Sequence, residues 1–166
     1  PEYETIYLTE LSIPGAWYAG GKGYQDSNHT MASLWEAGVR AFGIECRTAS
    51  VSATNNTPSY VGVSGTGTNN LIAAELDHYW NAKKLSDLIS QLSNKVKDSD
   101  EFAVMVINYA YGAQGGYRDQ DFKFFLSGVQ QAIIDSKVDN IAGEITPETT
   151  IKDVMDKLII KINVDS

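Results

Sequence analysis

Leu11-Ser12-Ile13-Pro14-Gly15, taken with Glu36-Ala37-Gly38-Val39-Arg40-Ala41-Phe42-Gly43-Ile44-Glu45-Cys46-Arg47, decides how this chain folds. The first stretch closes an apolar run at Pro-Gly. The second passes through Gly38 and carries a new apolar run into charged residues. Between them Thr30 is placed to cap a short helix whose Met31, Leu34 and Trp35 face inward, with Gly38 just past its end. That order reads as strand, crossover helix, strand, with the strands over residues 5–13 and 39–46.

The pattern repeats outward from there. Leu85, Leu88, Ile89, Leu92 and Val96 recur at the spacing of one helix face, and Phe122, Phe125, Leu126, Val129 and Ile133 do so again. Residues 102–107 are continuously apolar, as a strand buried on both faces requires, and 158–162 follow a short helix or turn as another strand. Residues 48–70 carry Ser, Thr, Asn and Gly around Tyr60-Val61-Gly62-Val63 and read as an excursion or hairpin; 71–76 form a further apolar run ending at Asp77-His78. Strands alternating with helices predict parallel βα units. Gly20-Gly21-Lys22-Gly23 lacks the spacing of a phosphate-cradling loop, and no Lys-Ser/Thr pair opens a helix after it.

The 166 residues, 43% hydrophobic and 20% charged, suffice for one core. No apolar run approaches the roughly 20 residues a membrane-spanning helix needs. A net charge of −8 and a pI near 4.6 argue against a nucleic-acid partner. The lone Cys46 provides neither a disulfide framework nor a zinc site and reads as a buried thiol. The Ser-, Thr-, Asn-, Gly- and Tyr-rich middle is a composition common in exported bacterial proteins, so a secreted, periplasmic or cell-surface location is expected.

The two opening stretches together resemble the X-type catalytic domain of phosphatidylinositol-specific phospholipase C, which shows L-S-I-P-G-T-H-D-S and then Q-L-x-x-G-x-R-x-F-D-I-R. Residues 149–162 resemble the same family's T-x-x-D-V-x-G-K-I-V-L-I, with Asp156 in place of Gly. The resemblance implies an α/β fold of the (β/α)8 TIM-barrel type, the phospholipase-C-like phosphodiesterase barrel. A whole barrel takes about 250 residues. Residues 1–166 are therefore expected to be a single, incomplete barrel domain, its N-terminal half to two-thirds, ending after a mid-barrel strand. The remainder would lie in a missing segment or a second chain, since unpaired strand edges invite association.

Functional residues of such barrels sit at the C-terminal ends of the strands: here Trp17 and Tyr18, Glu45 and Arg47, Asp77 and His78, Asn108, and Lys161 with Asn163. The resemblance implies two histidines at work. One takes the proton of the inositol 2-hydroxyl and the other protonates the leaving alkoxide, giving a cyclic phosphodiester. Calcium or an arginine steadies the charge at phosphorus. Where the family carries Thr-His-Asp-Ser, this chain has Ala16-Trp17-Tyr18-Ala19. An indole N–H can only donate, so Trp17 cannot be the base; it is either a packed mouth aromatic or a stacking surface for a ligand such as a sugar.

Glu45 stands where the family has an acidic calcium ligand or an arginine; Gly43 lacks the neighbouring carboxylate, and Asn108 replaces a third ligand or a lysine. Glu45 and Asn108 are thus the candidate metal ligands and calcium the cofactor implied, the alternative being Glu45 paired with Arg40 or Arg47. His78, near the family's second histidine, is either the surviving general acid or a loop residue at a helix entrance. The catalytic candidates are His78, Glu45 and Arg47. The ligand-binding candidates are Trp17, Tyr18, Asn108 and Tyr111, the last in a Tyr- and Gly-rich loop whose amphipathic rings suit sugars or lipid headgroups. Two functions remain open. One is a degenerate, non-catalytic barrel of an exported protein that binds a small molecule or lipid headgroup. The other is an active phosphoric diester hydrolase using Glu45 and His78, with or without calcium, on a phosphoinositide or glycerophosphodiester.

Overall fold

A parallel sheet is the spine of the molecule. The structure, a computed structural model, describes residues 2–16, 30–51, 58–59, 70–73, 84–109 and 118–163. In chain order the elements are β1 (Gly15–Ala16), α1 (Met31–Glu36), β2 (Ala41–Val51), β3 (Pro58–Ser59), β4 (Asn70–Ala73), α2 (Leu85–Val96), β5 (Ala103–Tyr109), α3 (Arg118–Ser136), α4 (Ile151–Val154) and β6 (Leu158–Asn163). Strands β1, β2, β5 and β6 lie side by side in that order, all parallel. The short β3 and β4 pair antiparallel with the far end of β2.

Alternation along the strands separates two faces. Phe42, Ile44 and Cys46 of β2, Ala103, Met105 and Ile107 of β5, and Leu158 of β6 are sealed from solvent. They form one core with Leu85, Leu88, Ile89, Leu92 and Val96 of α2 and with Phe125 and Val129 of α3. Burying each of the Leu, Ile, Val, Phe and Met side chains among them contributes about 1.5–3 kcal/mol. On the opposite face Val104 and Val106 are only half-buried and Lys161 is exposed. Among the described residues, helices thus cover one face only. That is the arrangement of an incomplete α/β barrel, with helices outside and the second face turned inward.

Helix α1 starts and stops as its sequence dictates. Thr30 Oγ1 accepts the Ser33 N–H at 3.1 Å, and Ser33 Oγ accepts the Thr30 N–H at 2.8 Å, satisfying two donors that the helix leaves over. Gly38, at φ +91°, takes the left-handed turn that ends the helix and aims the chain into β2. The same conformation accounts for a departure near the chain's other end. Asp156 has φ +60°, the left-handed region where a family glycine would sit without strain. Its Oδ1 accepts the Asp100 N–H at 2.8 Å, a bond glycine could not make.

Several expectations are corrected. Residues 5–13 are not a strand: they include 3₁₀ turns at Glu2–Thr5 and Leu8–Glu10. Glu10 Oε2 accepts the Tyr7 N–H and the Tyr7 carbonyl accepts the Glu10 N–H, both at 3.0 Å, so local bonding displaces a ladder. Pro14-Gly15, read as the end of that strand, is where pairing begins: the Pro14 carbonyl accepts from the Arg40 and Ala41 N–H groups at 2.9 and 3.0 Å. Nor do residues 71–73 belong to a parallel barrel strand, because β4 runs antiparallel to β2, with Ile72 opposite Arg47; residues 74–76 lie outside the described residues. Nothing between β2 and β4 has the helical spacing of the crossover that a parallel strand requires. Strand β2 also begins at Ala41 rather than at 39 and extends to Val51. The Tyr60–63 run lies outside the described residues.

Candidate functional site

Three parallel strands bring one polar row to the C-terminal end of the sheet. Glu45 of β2 is in register with Asn108 of β5, and Asn108 with Asn163 of β6. The row follows from strand parity: Asn108 shares its face with Val104 and Val106, away from the helices, where a barrel mouth lies.

Asn108 is the buried member of the row, 9% exposed. Its Oδ1 accepts a hydrogen bond from Asn163 Nδ2 at 2.9 Å. Its own Nδ2 is sealed from solvent and finds no hydrogen-bond partner among the described residues. A buried donor left in that state costs about 1–3 kcal/mol. Lys161 lies on the same face as Asn163, two positions earlier in β6, and is exposed. The described part of the mouth therefore holds an unmatched donor, which suits an oxygen acceptor, together with one cationic residue, Lys161, and one acidic residue, Glu45.

The sequence-derived candidates fare as follows. Glu45 and Asn108 come together in register, and Asn163, recognised at a strand end but given no role, joins them through its side-chain bond. Both asparagines follow an isoleucine, Ile107 and Ile162, at the end of a largely apolar run, and that shared ending is the signal that could have linked them. Arg47 lies beyond this row, in the part of β2 that pairs with β4. Trp17, Tyr18, Asp77, His78 and Tyr111 lie outside the described residues. Among the described residues no group of His, Cys, Asp or Glu could hold a metal ion between them.

The alternative pairing of Glu45 with Arg40 is corrected. Arg40 sits at the opposite end of the sheet, where its Nε donates to Glu101 Oε2 at 2.5 Å and its Nη2 to Oε1 at 2.9 Å. Its Nη1 donates to the Trp35 and Val39 carbonyls at 2.7 and 2.9 Å, and its guanidinium lies 3.7 Å from the Trp35 ring centre. The hydrogen bond from Arg40 holds the Glu101 carboxyl below its ordinary range. This cluster fastens α1, β2 and the start of β5 together and takes no part in the mouth.

No protein-family profile matches the chain, and no curated protein does. Solved structures do. A point variant of the phosphatidylinositol-specific phospholipase C of Staphylococcus aureus superposes with a TM-score of 0.62 at 15% identity, over 96% of this chain and 49% of that one. A second variant gives 0.60 at 15% identity, over 96% and 50%. A third structure, from work on that enzyme's membrane binding, gives 0.59 at 14% identity, over 96% and 49%. The chain thus spans about half the length of these phospholipases. The fold is that of a phosphatidylinositol-phospholipase-C-like barrel, as the two opening stretches implied. No helix among the described residues is long and apolar enough to cross a membrane.

Proposed function

We propose that the strand ends of this barrel form a binding mouth for a phosphorylated polyol, such as a lipid headgroup, and that the ligand is held there without being cleaved. The observation that carries the reading is Asn108: a buried amide whose nitrogen has no described partner, level with Glu45 at the end of the sheet where barrels place their ligands. Lys161 adds a positive charge on the same face. The solved relatives are phosphatidylinositol-specific phospholipases, which supports a headgroup as the ligand class. The lack of turnover follows from Trp17, whose indole cannot accept a proton, so His78 alone would supply acid without a matching base.

The test is hydrolysis of phosphatidylinositol and glycerophosphodiesters, with calcium and with chelator. No product is expected under either condition, while myo-inositol 1-phosphate binds. Turnover that disappears in His78→Ala and in Glu45→Gln would instead establish an active diester hydrolase.

A further inference from the structure

We infer that Asn163 is a positioning residue that fixes the polarity of the mouth, turning the Asn108 amide so that it offers a donor to an oxygen of the ligand and withholds its own oxygen from a cation. The inference rests on the binding reading above and deepens it. A side-chain amide has one acceptor oxygen and one donor nitrogen, and in a buried site its direction is set by whichever neighbour engages it first. Here the neighbour is Asn163, whose Nδ2 donates to Asn108 Oδ1 at 2.9 Å. That bond takes one of the two lone pairs of the side-chain oxygen, holds it toward Asn163, and leaves the nitrogen as the group with no partner among the described residues. The family's calcium is therefore a poor fit to Asn108 in this arrangement. Of the two charged residues on this face, Lys161 repels a cation and attracts an anion, while Glu45, in register with Asn108, acts in the opposite sense, so the direction of the Asn108 amide decides between them.

The replacement Asn163→Asp tests this with almost no change of shape. A carboxylate cannot donate, so Asn108 would turn its nitrogen to the new side chain and present its oxygen to the mouth. Titration calorimetry of both proteins, with myo-inositol 1-phosphate and separately with calcium chloride, reads the polarity directly. The expected result is an affinity for inositol phosphate about tenfold weaker in the variant, the scale of one lost hydrogen bond. Calcium binding should be absent from the unaltered protein and present in the variant. Equal headgroup affinity in the two proteins would overturn the inference. So would calcium binding by the unaltered protein that Asn108→Ala abolishes. Should inositol phosphate bind neither protein, the binding reading fails while the calcium arm still decides: a gain in Asn163→Asp that Asn108→Ala removes supports the positioning role, and no gain, or a gain that survives Asn108→Ala, removes it.

Discussion

At the N-terminal ends of the strands, Arg40 donates to Glu101, Trp35 and Val39, and Asn140 Nδ2 donates to the Ser93 and Asp156 carbonyls at 3.1 and 3.0 Å. At the C-terminal ends, Asn108 receives one bond and keeps a buried donor without one. The two regions lie at opposite ends of the same parallel strands. At the base, polar groups answer one another and lock α1, β2, β5 and β6 into place. At the rim, one group is held ready for something outside the described fold. The contrast follows the division of labour in α/β barrels, where the base carries stability and the strand ends carry function.

Breaking the base should produce the largest effect. Arg40→Ala removes a bidentate pair, two carbonyl contacts and the stacking on Trp35, and is expected to cost about 2–3 kcal/mol in urea denaturation. A loss near zero would place the fastening elsewhere. The rim should respond in the opposite sense. Asn108→Val continues the Val104–Val106 face and removes the unmatched donor. The denaturation midpoint should hold or rise by up to about 1 kcal/mol in stability, while inositol phosphate binding is lost. A variant both destabilised and still able to bind would erase the distinction between the two ends.

The smallest effect is that of pH on the base. Arg40 depresses the Glu101 carboxyl in the folded chain. The stability it contributes is therefore present above the unfolded carboxylate's ordinary range and lost as pH falls through the folded value. With the Glu101 side chain 46% exposed, solvent screening limits this to under about 1 kcal/mol. Glu101→Gln should flatten that part of the acid limb, and an unchanged acid limb would remove Glu101 from the account.

Much of this contrast was legible in the residues. The helical spacing from Leu85 to Val96 marked which side chains of α2 form the core, because periodicity reports burial directly; the continuous apolar run before Asn108 read as buried on both faces, whereas Val104 and Val106 are only half-buried. Thr30 and Gly38 marked the bounds of α1 through capping chemistry that acts within a few residues. Residues 5–13 misled because alternation is shared by strands and by turns stapled by a carboxylate such as Glu10. The antiparallel return of β4 was hidden because strand direction depends on the connection and not on the strand's own pattern. Asn163 had no visible role, since its meaning comes from the register of β5 on β6, a contact 55 residues apart in sequence.

The most direct test of the account is a single NMR titration of the protein with glycerophosphoinositol, following the Asn108 side-chain amide pair and the phosphorus signal of the diester together. The account expects the amide pair to shift and saturate while the phosphorus spectrum shows only intact diester. Conversion to a cyclic phosphodiester, or an Asn108 amide that never responds, would contradict it.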